Sequence, residues 1–507
     1  MSLSRGLRQS MAWLHTWSGL VIGWVLFAIF VTGTASYYRT DISHWMRPEL
    51  SDSAVDPVAA ATRAGTFLRR TMPEAAGWSV RLPDTENPAV EVYWWPHLDG
   101  PYHQALLDPA TGEPARVRDT RGGDFLYRFH FELSLPPIWG RWIVSACAMV
   151  LLIALLSGIV THRRIFADFF TFRRDRSAQR GWLDAHNVMG VLALPFHLMI
   201  VYTGLVTLAP MLMPWGIKAV YGEDVLRYYA EAGLMTPGRM PTGQPGTALP
   251  LGEIVSRAMA SRGEAPEMVV VTAPGDAGAT ATAYFAEPHG LAHLHPQIAY
   301  AADTGVEIGR VGEAGAATRT GAVMTGLHEA HFAAAPLRLL FFLCGVMGAA
   351  TVASGLVLWT VKRAPKGADP EGLGLRIVRL LNLGTITGLP VGLAAYFLAN
   401  RLLPIGLAGR AEWEVRVFFA AWIAAAIAAS LYPRRRAWSA ALAVAACAFL
   451  AIPLVDAVLV GQPRHLMFDT AMAGLGLALL AGSRLAAQGR AAAARTPEGG
   501  LSRTVEA

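Results

Sequence analysis

His186 and His197 stand eleven residues apart in the run His186-Asn-Val-Met-Gly-Val-Leu-Ala-Leu-Pro-Phe-His197. The run lies inside a long apolar stretch, so both histidines are expected on one membrane helix. Eleven residues advance an α-helix by about 1100°, roughly 20° past three full turns, and raise it about 16 Å. Both imidazoles would then leave one face at two depths. A neutral imidazole is a good axial ligand for haem iron, so the spacing suggests two haems stacked across a membrane. The competing reading is a pair of polar residues closing helix contacts. The other histidines, and the elements that carry them, decide between the two.

The chain has 507 residues, 53% hydrophobic and only 16% charged, with a mean hydropathy of +0.36. That is an integral membrane protein with sizeable water-facing parts. The net charge of +6 sits in loops beside apolar runs, where it reports topology rather than a nucleic-acid partner. Cys147, Cys344 and Cys447 are isolated in apolar segments, which excludes a disulfide framework or a Cys₄ site. Without a Cys-x-x-Cys-His motif, any haem is held non-covalently. The chain also lacks a Gly-x-Gly-x-x-Gly after a strand and a Walker loop, so electrons must come from an outside donor.

The expected architecture is a polytopic α-helical membrane protein with about eight spans, at 12–38, 137–162, 183–213, 336–361, 377–399, 413–432, 438–460 and 465–483. Two periplasmic α+β domains are inserted, at 39–136 and 214–335. In the first, Pro57 to Met72 has helical spacing, and Trp78–Leu82, Ala89–Trp95 and Tyr102–Leu107 read as strands. In the second, a helix near Leu249–Ser261 precedes strands at Met268–Ala273, Thr280–Ala286 and Gln297–Ala302. Asp108-Pro-Ala-Thr-Gly112 and Asp303-Thr-Gly305 supply similar turns. The loop 163–182 and the tail 484–507 are basic, which places them and both termini in the cytoplasm. Asp456 and Asp469 are intramembrane acids, functional candidates by default. Both lie near helix ends within reach of water, which favours a structural role.

An internal repeat orders the histidines. Shifted by 171 residues, the first span lands on the third: His15-x-x-x-Gly19 matches His186-x-x-x-Gly190, and Thr32-Gly33 matches Thr203-Gly204. Shifted by 197, the second lands on the fourth: Arg141 matches Arg338, and Ser157-Gly158 matches Ser354-Gly355. The halves are parallel repeats, related by an axis along the membrane normal. His15, His162 and His186 fall on the cytoplasmic side, and His130, His197 and His328 fall from mid-membrane to the periplasmic side. His162 and His197 break the symmetry, since Trp359 and Leu26 are their equivalents.

Two histidines from different helices at one depth are what a bis-imidazole b-type haem requires. Gly19, Gly23, Gly33, Gly190 and Gly204 would admit a flat macrocycle, or simply a neighbouring helix. A row of neutral imidazoles also suits transported Zn, Ni or Fe, but the first four spans offer almost no carboxylate companions. His289, His293 and His295 form a separate periplasmic cluster, read as an exposed loop that could touch a metal complex. His331, one turn from His328, is an alternative ligand.

The chain resembles the PepSY-associated transmembrane family, and within it bacterial inner-membrane ferric-siderophore reductases. The carrying segments are Leu14-His-Thr-Trp-Ser-Gly19, His162-Arg-Arg-Ile-Phe-Ala-Asp-Phe-Phe-Thr-Phe172, His186-Asn-Val-Met-Gly with Leu194-Pro-Phe-His197, and Leu327-His-Glu-Ala-His-Phe332. The resemblance implies two haems b, periplasmic domains of ferredoxin-like fold, and a haem-dependent oxidoreductase of the inner membrane. Electrons would pass from the cytoplasmic side to a ferric siderophore in the periplasm. Ligand roles carry over to His15, His130, His162, His186, His197 and His328. The implied partners are the siderophore, membrane lipid and an electron donor, either a quinol or a soluble reductase, with no nucleic acid. The alternatives are a non-catalytic PepSY-type binding or regulatory membrane protein and a metal or siderophore permease.

Overall fold

The computed structural model of the protein describes all residues except 1–2, 51–54, 85–87, 98–99, 101, 162–176, 237, 289, 312–313, 366–370, 434–435, 462–464 and 496–507. Among the described residues, eight helices are long and apolar enough to cross a membrane: Gly6–Ser36, Pro137–Thr161, Leu194–Tyr221, Ala335–Lys362, Leu373–Leu402, Arg410–Leu431, Ala437–Leu459 and Leu466–Gln488. The count and most of the bounds follow the hydropathy of the sequence.

The third span differs. The expected single helix over 183–213 is two helices, Ala178–Leu192 and Leu194–Leu212, separated at Ala193. Pro195 is the cause. It has no N–H to give the Val191 carbonyl, and its ring crowds that carbonyl. His186 therefore stands before the break and His197 after it, so the shared face of one straight helix does not exist. The fifth span is divided in the same way at Thr387, three residues before Pro390.

The chain forms two compact units. The helical unit comprises Met1–Met46, Arg118–His197 and Phe342–Ala507. Its last four spans are tied to the connecting segments by buried polar groups. Arg410 and Glu414, both 0% exposed, pair with each other. Thr120 donates to Glu414 (2.5 Å), Asn400 donates to Glu414 (2.8 Å) and to the Met46 carbonyl (3.1 Å), and Arg118 donates to the Asn400 carbonyl (2.7 Å). Buried charges persist only when paired and hydrogen-bonded, and here they are. Asp456 and Asp469, expected to reach water, are buried instead. Asp456 accepts from Arg401, and Asp469 accepts from the Trp45 indole at 3.1 Å. Their role is structural, but because they are satisfied internally rather than solvated.

The second unit comprises Arg47–Val117 and Leu198–Phe341. Its strands are β1 (Gly77–Arg81), β2 (Val90–Trp95), β3 (His103–Leu107), β4 (Met268–Thr272), β5 (Thr280–Tyr284), β6 (Gln297–Ala301) and β7 (Glu307–Arg310). Six of the seven were legible as strands, and β7 was not. Two inserted α+β domains of ferredoxin-like or PepSY type are the expectation, and the structure joins their strands. All seven strands form one antiparallel sheet in the order β3-β2-β1-β4-β5-β6-β7. Each half is a plain meander, without the split βαβ order of a ferredoxin-like fold. The halves join where β1 pairs with β4, Gly77 opposite Thr272 and Arg81 opposite Met268.

Helices Pro57–Thr71 and Leu251–Arg262 cover this sheet and share its apolar core with Trp78, Val80, Val92, Val269, Val271 and Ile298. They meet at Gly65 and Gly252, where a Cβ on Gly252 would come within 2.5 Å of the Val58 carbonyl. The expected domain over 39–136 is narrower than its sequence block. The flanking helices Arg39–Trp45 and Gly122–Glu132 fold with the helical unit, where Ser43 Oγ accepts from the Gly123 N–H at 2.9 Å.

Candidate functional site

One local device recurs at five of the histidines. His15 Nδ1 lies 2.8 Å from the Ala154 carbonyl, and Gly158 follows that residue by one turn. His186 Nδ1 lies 2.9 Å from the Thr351 carbonyl, with Gly355 one turn on. His130 Nδ1 lies 2.8 Å from the Ile29 carbonyl, before Gly33, and His328 Nδ1 lies 3.0 Å from the Ile200 carbonyl, before Gly204. His197 uses its other nitrogen: Nε2 lies 3.2 Å from the Cys344 carbonyl, before Gly348.

The physical reason is shared. A helical side chain leans toward the N-terminus and covers the turn before its own Cα. A glycine at i+4 therefore leaves the carbonyl of residue i open to a ring from the facing helix. A Cβ would stand 2.5 Å from the His130 ring at Gly33, 2.7 Å from His328 at Gly204, 3.2 Å from His15 at Gly158 and 3.1 Å from His186 at Gly355. Gly33, Gly158, Gly204, Gly348 and Gly355 are thus histidine seats.

The device also fixes the tautomer. A carbonyl only accepts, so the ring nitrogen facing it carries the proton. In the neutral imidazole the lone pair then belongs to the opposite nitrogen. That is the usual state of a metal-bound histidine, whose second N–H is held by an outer partner that orients the ring and raises its basicity. Burial holds the His130 imidazole below the ordinary histidine range, against the pull of its bond to Ile29, so it is neutral at pH 7.

His15 and His186 come together. Their ring centroids are 6.1 Å apart with planes at 69°. Two imidazoles from different helices side by side are the donor set that one haem iron would take. One turn beyond each ring, Gly19 has nothing within 4 Å of its Cβ position and Gly190 meets only the Thr351 methyl at 3.5 Å. Neither position is filled by a packed side chain. The donor set and the bare helix faces fit a bis-histidine haem at this pair.

His197 is 2% exposed and is walled edge-on by Phe30, ring centroids 5.9 Å apart. His162 and His289 lie outside the described residues. Asn382, which carried no ligand signal, ties three helices together: it accepts from the Trp24 indole and donates to the Leu356 carbonyl, both at 2.8 Å. Its lone amide in an apolar run was the available sequence clue.

The His293 region is a half-buried cluster and not a bare loop. His293 pairs with Glu287, His295 Nε2 lies 3.4 Å from Glu287, and His331 Nε2 lies 2.8 Å from Glu329. Burial raises the Glu287 carboxyl, but its bond to His293 and the nearby imidazoles bring it below the usual range. Its bond to Glu287 lifts His293 above the ordinary histidine value. Burial likewise raises Glu329, but its bond to His331 and the nearby imidazoles together leave it lowered.

The family model described as the PepSY-associated TM region matches residues 12–362, well over half of the chain. The chain belongs to that family. The matched stretch takes in the five seated histidines and the whole sheet, and leaves the last four spans outside. Among relatives, an uncharacterized protein of Pseudomonas aeruginosa is 27% identical over 330 residues, covering 61% of this chain and 80% of that protein. Membership of the family and eight apolar helices make this a multi-pass membrane protein of the PepSY-associated class.

Proposed function

We propose that this PepSY-associated protein is a haem b oxidoreductase of the bacterial inner membrane, carrying electrons from the cytoplasmic side to a ferric siderophore in the periplasm. The observation that carries the reading is the His15–His186 pair at 6.1 Å, each ring seated on a carbonyl of a facing helix. When bound, haem supplies reversible one-electron storage on its iron. His15 and His186 hold their Nδ1 protons against Ala154 and Thr351, which presents Nε2 as the donor and keeps the rings from turning. A second haem would draw on the remaining candidates, His130, His162, His197 and His328.

The substrate needs no protein acid, base or nucleophile. Its Fe(III) is gripped by hard oxygen donors, and one added electron gives Fe(II), which such donors hold poorly. The basic segments beside the spans favour the cytoplasmic placement of both termini, which leaves the sheet unit to face the siderophore.

The test is the visible spectrum of the purified full-length protein with its haem stoichiometry. A Soret band that shifts on dithionite reduction, and that is lost or halved in His15→Ala and His186→Ala, is expected. A colourless wild-type protein, or unchanged spectra in both variants, would sink the proposal.

A further inference from the structure

The sheet unit holds a second group of ligating side chains that the haem reading does not use. Glu287, His293 and His295 offer ligand atoms all within 4.8 Å of one another, and so do His293, Glu329 and His331. His293 belongs to both triplets. Its ring centroid is 5.2 Å from that of His295 and 5.4 Å from that of His331.

The fold holds this group in place. A Cβ at Gly326 would stand 1.9 Å from the Leu291 carbonyl, so the loop lies directly on helix Ala316–Glu329. The His293 N–H donates to the Ala322 carbonyl of that helix at 2.9 Å. The helix ends on Ala330 in a left-handed conformation, φ 60°, which turns the chain so that His331 comes back beside Glu329. His295 Nδ1 donates to the Phe285 carbonyl at 3.1 Å. In the neutral ring that leaves the Nε2 lone pair directed at a Glu287 oxygen 3.4 Å away. A metal cation, or a proton on Nε2, satisfies both acceptors.

We propose that Glu287, His293, His295, Glu329 and His331 form a binding site for one divalent first-row transition-metal ion. Two imidazoles with one carboxylate, repeated on either side of a shared histidine, is a mixed N/O donor set that suits Fe(II) and Zn(II) and disfavours Ca(II) and Mg(II). Binding rests on this geometry alone. That the resident ion is Fe(II), delivered when a ferric chelate is reduced, rests on the proposed function, and makes the cluster a first acceptor for the released metal.

The experiment is an anaerobic titration of full-length protein in detergent with Co(II), followed by competition with Zn(II) and Fe(II). One saturable equivalent is expected, showing the absorption of a low-symmetry Co(II) complex. Affinity should fall at least tenfold in His293→Ala and Glu287→Gln. His331→Ala removes an exposed side chain and gives the same direction of change without burdening the fold. The haem content of Glu287→Gln should equal that of wild type. Absence of saturable binding, or wild-type affinity in all three variants, overturns the site. A normal haem spectrum with no metal bound removes this inference alone. Metal bound by a haem-free protein removes the proposed function and leaves the site standing.

Discussion

Gly33→Ala tests the histidine seat directly. Its Cβ would stand 2.5 Å from both Cε1 and Nδ1 of His130. Carbon contacts settle near about 3.5 Å, so the ring must retreat by roughly 1 Å. The Nδ1–H···O bond to Ile29 begins at 2.8 Å and would stretch to about 3.8 Å, beyond hydrogen-bonding range. Leaving a buried donor unsatisfied costs about 1–3 kcal/mol. The alanine returns up to about 1 kcal/mol of helix propensity. The net expectation is a loss of about 1–2 kcal/mol, read by denaturant unfolding in detergent. Gly204→Ala, with its 2.7 Å approach to His328, should repeat the loss in the second half. Gly181→Ala, with nothing within 4 Å, is the control. If Gly33→Ala is as stable as Gly181→Ala, the seat does not constrain the ring and the tautomer argument fails with it.

Gly19→Ala should unfold like wild type but bind less haem, because its Cβ enters space that no packed side chain fills; a haem titration checks this. Asp456→Ala removes the carboxylate paired with the buried Arg401 guanidinium and should cost about 3–5 kcal/mol, whereas the double change Arg401→Leu with Asp456→Leu should recover most of that; unfolding midpoints of the two variants decide. Asp276 accepts from the N–H groups of Thr242, Gly278 and Gly243 and from the Thr242 hydroxyl, the Thr242 and Gly278 bonds doing most to lower its carboxyl to about 2. A depressed carboxyl stabilises above its unfolded value, 3.8, and loses that contribution as pH falls through about 2. The stability gap between wild type and Asp276→Asn should therefore be full at pH 6 and narrow only below 3.8, as seen in a pH series of melting curves.

The sequence made some of this plain and hid the rest, for physical reasons. The repeat was legible because His15 with Gly19 and His186 with Gly190 keep one spacing, and the contacts honour it: Ala154 and Thr351, the two carbonyl acceptors, are themselves 197 apart. The strands were legible from runs such as Met268–Thr272, whereas β7 has a single large apolar residue, Ile308, among Glu307, Gly309 and Arg310 and gave no alternation. The break at Ala193 was signalled by Pro195, but the apolar continuity of the run outweighed it. The union of β1 with β4 left no local mark, because pairing over so long a separation is written in no window of sequence. Nor could the Glu287–His293–Glu329 grouping be read, since Glu329 reaches the loop only through the packing of Gly326 against Leu291.

The seam between β1 and β4 has a consequence for how such a chain arose. These are the first strands of the two halves, and they run antiparallel, so equivalent segments lie across a local dyad, as they do between the subunits of a symmetric homodimer. A half-length ancestor would have carried β1 as a bare sheet edge and needed a twin to cover it. In the present chain each half covers the other's first strand, while the ligand sets of the halves differ, with His197 opposite Leu26.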